Sequence, residues 1–288
     1  MSKKPTHVFL LGAGRSGTKF LRDVLGVSPN IGVIPYDIGY VWRYGNESFP
    51  SDEYTPEMIT PSIEKNIRKI LPTLVEKNDN SQIEILIEKS VPNTLRPSFV
   101  RTIYPDAKFI HLIRDGRSVT ESAMRLWSTP PKKGYLLKKM RYFPWRSYSY
   151  ALWYFRNLLK GVFRFGQSQR LWGPRYSGID KEVGILPLEL ICARQWKRCV
   201  EVSISQLKSF PKDKVLTIHY EDLVKDQKIL EGVCDFIGVS NKQDIMSNYD
   251  KKVVHSNVDK WRESLSSEQL KVINKEISSL NSSLGYER

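Results

Sequence analysis

Cysteine, histidine, acidic charge and long apolar runs are all scarce in this chain, and each shortage closes off a class of protein. The three cysteines, Cys192, Cys199 and Cys234, are an odd count, and two of them stand seven apart on what reads as one helix, too far to bridge. Their spacing makes no metal box either, so they read as buried apolar fillers in a reducing compartment. No apolar run approaches the ~18 residues that a membrane span needs. The segment Met1-Ser2-Lys3-Lys4-Pro5-Thr6 lacks the apolar core of a signal peptide, and the first hydrophobic stretch after it is only a strand long. A cytoplasmic protein without a Golgi-type anchor is the expectation. There are only 31 Asp and Glu against 45 Lys and Arg, giving a net charge of +14. That balance favours anionic partners. No RNA or DNA motif accompanies it, and nucleic acid is not expected among them.

What is present begins with Val8-Phe9-Leu10-Leu11, followed at once by Gly12-Ala13-Gly14-Arg15-Ser16-Gly17-Thr18-Lys19 and the helix-like Phe20-Leu21-Arg22-Asp23-Val24-Leu25. A strand turning through glycines into a helix offers backbone N–H groups and the positive end of the helix dipole, which together hold an anion. Three machines use such a turn. Gly12-x-Gly14-x-x-Gly17 fits a dinucleotide fingerprint, with Asp37 about 20 residues on as a ribose carboxylate. A nucleotide-triphosphate loop wants its lysine directly after the last glycine, but here Thr18 intervenes and Lys19 comes one place late. The third reading rests on Arg15-Ser16-Gly17-Thr18, which resembles the 5′-phosphosulfate loop of sulfotransferases that use 3′-phosphoadenosine 5′-phosphosulfate (PAPS).

A second segment favours the third reading. Residues 107–124, AKFIHLIRDGRSVTESAM, form an apolar strand ending in Arg114 and a helix carrying Ser122, eight residues on. A guanidinium fork and a hydroxyl so placed close on one phosphate. In the sulfotransferase family this unit resembles the clamp on the 3′-phosphate. Further segments follow in the family's order. Glu88-Lys89-Ser90-Val91-Pro92 is similar to the Lys-x-x-Pro segment at the reacting centre, Tyr220-Glu221-Asp222-Leu223 to the adenine-side turn, and Lys260-Trp261-Arg262 to the segment that closes over the cofactor.

The resemblance implies one domain over residues 1–288, with a P-loop-like α/β fold in which a parallel sheet is flanked by helices. Strands are expected at Val8–Leu11, Ile83–Ile87, Phe109–Ile113 and Val215–His219, with the ligand turns at their C-terminal ends. It implies PAPS as donor, with 3′,5′-adenosine bisphosphate as product, and no metal. Gly14, Arg15, Ser16, Gly17, Thr18 and Lys19 would bind the 5′ side. Arg114 and Ser122 would hold the 3′-phosphate, and Tyr220, Lys260, Trp261 and Arg262 the adenosine end. Lys89 and Arg15 would act on the transferring sulfuryl group. For the base that takes the acceptor's proton, the expectation is Asp37, with Glu88 and Glu47 as fallbacks. Lys19 departs from relatives that carry a second threonine there.

The acceptor half is read from composition. Residues 44–61, with Pro50, Pro56 and Pro61 among Ser, Asp, Glu and Thr, read as a loop framing the acceptor entrance. Residues 129–176 crowd Trp, Tyr and Phe among arginines, which suits acidic sugars or a membrane interface, or simply the core of a helical insert. With Trp172-Gly173-Pro174-Arg175-Tyr176 and Gln195-Trp196-Lys197-Arg198, which resemble glycan-modifying bacterial members, the insert points to a hydroxyl on a glycan or lipid-linked glycan, with peripheral membrane contact through the insert. The rival classes are a P-loop kinase, for which Asp115 would hold magnesium, and a non-enzymatic basic membrane or nucleic-acid binder. His111 reads as a strand residue packed in the sheet.

Overall fold

The computed structural model describes residues 4–75, 82–127 and 172–286. A five-stranded, wholly parallel sheet runs through it in the order β2-β3-β1-β4-β5. The strands are β1 (Thr6–Leu11), β2 (Ile31–Val33), β3 (Ile85–Glu88), β4 (Lys108–Ile113) and β5 (Val215–His219). Four of these match the strands read from apolar runs. The three-residue β2 was not anticipated, because Ile31-Gly32-Val33 is too short to show a period. Placing β3 between β1 and β2 separates this sheet from the dinucleotide-binding order, in which β2 lies beside β1. The strand exit next to the glycine turn therefore belongs to β3 and its Lys89.

Alternation along β1 sorts the core into two layers. Val8 and Leu10 face a cluster with Leu21, Val24 and Leu25 of α1 (Thr18–Leu25), Leu223 of α8 (Tyr220–Lys225) and Leu230 and Val233 of α9 (Gln227–Ile237). Phe9 and Leu11 face the other, with Trp42 of α2 (Gly39–Trp42), Ile63 and Ile67 of α3 (Pro61–Ile70), Phe99 of α4 (Pro97–Ile103) and Phe109. A third apolar cluster joins α5 (Gly116–Trp127), α7 (Leu188–Leu207) and α12 (Ser267–Ser283) through Val119, Trp196, Ile273 and Ile277. The remaining α-helices among the described residues are α6 (Ile179–Glu182), α10 (Gln243–Lys252) and α11 (Trp261–Ser264). The aromatics of residues 128–171, and with them most of the expected helical insert, lie outside the described residues.

Two buried polar networks fix what surrounds the site. Asp52 accepts hydrogen bonds from Arg43 Nη1 (2.8 Å) and from the Arg175 backbone N–H (2.8 Å). That draws the 44–61 loop into the body, and none of its residues lines the main cavity described below, contrary to its reading as an entrance frame. Asp115 pairs with Arg117 (2.7 Å) and accepts from Asn281 Nδ2 (2.9 Å). Its own backbone N–H donates to Glu221 Oε1 (3.1 Å). These bonds anchor the start of α5, and they occupy the carboxylate that a kinase would need for magnesium. His111 packs in the sheet as expected, with Nε2 2.8 Å from Ser203 Oγ. The three cysteines are buried thiols.

Candidate active site

The turn between β1 and α1 is held in a shape few sequences adopt. Arg15 (φ 76°) is the one non-glycine residue with positive φ among the described residues, and Gly17 follows at φ 94°. Side chains of L-residues resist that region, so a glycine at 17 relieves the turn of one such cost. The turn is also pinned from outside. Thr94 Oγ1 accepts from the Gly12 N–H and donates to the Gly12 carbonyl, both at 2.9 Å. The loop opens α1, whose first-turn N–H groups point out of the sheet's C-terminal edge, as an anion site requires. Ser16 Oγ is buried without a hydrogen-bond partner in the described residues.

Across from the loop, the β4–α5 exit supplies a cluster of guanidinium groups. Arg15 Nε donates to Ser122 Oγ at 2.9 Å, and Arg125 Nη2 donates to the same hydroxyl at 3.3 Å. Arg114 Nη1 donates to the Arg15 carbonyl at 3.0 Å, and its guanidinium lies 4.4 Å from the centre of the Tyr220 ring. Burial holds the Arg15 pKa below its ordinary value, and the charges of Arg114 and Arg125 push the same way. The charge of Glu121, which also pairs with Arg125 at 3.2 Å, offsets part of this. Such a concentration of positive charge is complementary to a ligand with more than one anionic group. Arg125 was missed in the sequence, although it stands three residues after Ser122 and hence on the same helix face.

Loop, cluster and reacting-centre residues line one cavity of about 620 Å³. Of the expected site residues it contains Gly14, Arg15, Gly17, Thr18, Lys19, Asp37, Lys89, Arg114, Ser122, Tyr220, Lys260 and Trp261. Two glycines mark its two ends. A Cβ on Gly17 would come within 2.3 Å of the Tyr220 ring, whereas one on Gly14 would come within 3.0 Å of the Trp172 indole and 3.8 Å of Val91. The Tyr220 end also has Trp261, Lys260 and Lys252 in its wall; the Trp172 end has Lys89 and Asp37. At the latter, Lys89 Nζ donates to Asp37 Oδ1 at 2.9 Å, joining residues that are 52 apart in sequence.

Other expected residues stand elsewhere. Arg262 stacks on Trp261 (4.6 Å), pairs with Asp259 (3.1 Å) and lines a neighbouring cavity of about 460 Å³ rather than this one. Lys19 does line the cavity, but its ammonium is largely exposed and pairs with Asp23, which lines the cavity too. The fallback Glu88 is fully buried beneath the site, accepting from Trp42 Nε1 (3.3 Å) and Asn93 Nδ2 (3.0 Å), with burial raising its pKa. The fallback Glu47 lines neither cavity. The segment read as glycan-like is structural at several positions: Trp196 Nε1 donates to the Arg114 carbonyl (3.0 Å), Lys197 pairs with Glu276 (3.2 Å) and Arg198 with Glu53 (2.8 Å). Among the described residues no group of three or more His, Cys, Asp or Glu is arranged to hold a metal. Nor is any described helix long and apolar enough to cross a membrane.

Residues 42–157 match the model of the Sulfotransferase family, a stretch that contains Lys89, Arg114 and Ser122. Similar solved structures include the sulfotransferase domain from the curacin biosynthetic pathway, with TM-score 0.55 and 17% identity, covering 99% of both chains. The sulfotransferase domain from the Synechococcus PCC 7002 olefin synthase has TM-score 0.53 and 17% identity, covering 100% of this chain and 97% of its own. Sulfotransferase STF9 from Mycobacterium avium has TM-score 0.58 and 10% identity, covering 99% of this chain and 78% of its own. At such identities the structural likeness speaks for the fold.

Proposed function

Starting from a chain that is an enzyme of the sulfotransferase family, we propose that it moves a sulfuryl group from PAPS to a hydroxyl of an acceptor molecule. The observation that carries this reading is the meeting in one cavity of the glycine loop with Arg15, Arg114, Arg125 and Ser122. A donor set rich in guanidinium groups and backbone N–H groups fits a nucleotide with phosphate groups at two separate positions.

PAPS supplies an activated sulfuryl group whose departure leaves charge on the 5′-phosphate. Loop backbone N–H groups other than that of Ser16, which donates to the Ala13 carbonyl (3.0 Å), face that charge with Arg15 beside them, while Arg114 and Ser122 hold the 3′-phosphate. Electrostatic stabilisation of this kind, set in place before reaction, carries most of the catalysis in related phosphoryl transfers. Lys89 brings a cation to the reacting end. Asp37, hydrogen-bonded to it, is the residue we assign to orient the acceptor hydroxyl and take its proton. Tyr220 and Trp261 border the adenosine end, their rings already stacked by Arg114 and by Arg117 and Arg262.

On the acceptor side we read a carbohydrate or glycoconjugate, on the strength of the aromatic and basic composition of residues 129–176. The chain would then work in the cytoplasm or at a membrane surface. Transfer of label from [35S]PAPS to a panel of sugar, phenol and lipid-linked acceptors tests the reading. Labelled product whose formation is competed by unlabelled PAPS and not by ATP supports it, whereas phosphorylated product from ATP and magnesium would replace it with a kinase.

A further inference from the structure

The Trp172 end of the cavity has a feature that the donor does not require: an indole lying on the phosphate loop and locked from behind. Trp172 rests against Gly14, where a Cβ would stand 3.0 Å from the indole and 3.8 Å from Val91 and would make the ring give by a few tenths of an ångström. Gln195 Nε2 donates to the Trp172 carbonyl (2.9 Å) and to the Pro174 carbonyl (2.8 Å). Between them, Gly173 takes φ 84°, and a Cβ on it would meet the Gln195 amide at 3.0 Å. Gln195 is itself buried on α7, one residue before the Trp196 that braces the Arg114 carbonyl. A single helical turn thus holds both the backbone of Arg114 and the backbone that carries the indole. The indole lines the cavity together with Lys89 and Asp37, and Val91 and Leu126 add apolar wall.

We propose that Trp172 is the platform of the acceptor subsite, a specificity-determining residue that takes a ring-borne hydroxyl by stacking the ring's face, and that Gln195 is its positioning residue. The proposal rests on the sulfuryl-transfer reading, which sets the acceptor at the Lys89–Asp37 end. Electrostatics alone would leave that end indifferent to the body carrying the hydroxyl. A rigid aromatic face with apolar neighbours favours flat or ring-shaped bodies, either an arene or the C–H face of a pyranose, over an open chain. Because the indole is held before any ligand arrives, little ordering cost is left to binding.

The test uses the full chain with [35S]PAPS and three acceptors: 2-naphthol for the arene, methyl β-D-glucopyranoside for the pyranose, and 1-hexanol for an open chain. A ring acceptor is expected to be sulfated in preference to hexanol, and whichever ring is preferred identifies the source. Trp172→Ala should raise KM for that acceptor about ten-fold or more, with a smaller change in kcat. Trp172→Phe should restore most of it. Gln195→Met should raise KM in the same direction while keeping the indole. Affinity for adenosine 3′,5′-bisphosphate should stay within about two-fold in all three variants, which also reports that they are folded. Preference for hexanol, no sulfation of either ring acceptor, or an unchanged KM in Trp172→Ala would overturn the proposal. Failure of the wild type to bind the bisphosphate would instead overturn the donor reading beneath it.

Discussion

Replacing Gly17 by alanine tests the shape of the phosphate loop more sharply than removing any charge. Two costs arise at that one atom. Gly17 sits at φ 94°, where an L-residue costs about 1–2 kcal/mol more than glycine. The new Cβ would also stand 2.3 Å from Tyr220 Cδ2 and 2.7 Å from Cε2. Carbon atoms rest at about 3.5–4.0 Å, so the ring has to retreat by about 1 Å or more. It cannot do so alone, because Arg114 stacks on it at 4.4 Å and that arginine also holds the Arg15 carbonyl. The distortion therefore passes from the loop to the clamp. Taken together, about 2–3 kcal/mol of binding geometry is lost, a rise of roughly 30- to 150-fold in Kd for adenosine 3′,5′-bisphosphate by titration calorimetry. Urea unfolding of the same variant separates this from general destabilisation. Gly17→Ala/Tyr220→Ala should recover the steric part and not the backbone part, relative to Tyr220→Ala alone. A Kd within about two-fold of wild type in Gly17→Ala would show that neither cost reaches the ligand, and the coupling of loop to clamp would fall.

Other perturbations isolate other parts. Asp37→Asn should lower kcat by about 10²- to 10⁴-fold, as expected for loss of a general base, with bisphosphate affinity little changed; activity near wild type would move the base elsewhere. Thr94→Val strips the buried Gly12 N–H of its partner and should cost about 1–3 kcal/mol in urea unfolding, with Thr94→Ser close to wild type. His111 supplies a pH dependence. Burial pushes its pKa down to about 4 from 6.5, so between these values the unfolded chain binds the proton that the folded chain refuses. Its contribution is complete above pH 6.5 and is lost as pH falls toward 4, a decline of about 3 kcal/mol that His111→Gln should flatten in urea titrations from pH 7 to 4.

Sequence order made the loop, Lys89, Arg114 and Ser122 legible because each follows its own strand by a fixed few residues, and a parallel sheet gathers strand exits on one edge. What depends on approach between distant segments was not legible. No local pattern announces that Arg15 donates to Ser122, 107 residues away, or that Lys89 closes on Asp37 across 52. Trp172 stood out as part of the glycan-like segment Trp172–Tyr176, but nothing in the sequence put it against Gly14. Its place on Gly14 is set by the Gln195 amide, and a buried side-chain-to-backbone bond leaves no periodic trace in composition. Arg262 misled for the opposite reason. Adjacent to the cavity-lining Trp261 in sequence, it begins the neighbouring wall because consecutive residues on the short α11 point about 100° apart. The loop over 44–61 looked exposed by its polar composition, yet buried arginines hold its Asp52 inside.

Whether the glycine loop and the Arg114 clamp together hold a nucleotide with phosphates at two positions is decided by titration calorimetry of adenosine 3′,5′-bisphosphate against ADP, ATP and NAD, on wild type and Arg114→Ala. The bisphosphate should bind tightest, and that preference should be lost in Arg114→Ala. Equal or tighter binding of ATP or NAD by the wild type would contradict this and return the glycine loop to a triphosphate or dinucleotide ligand.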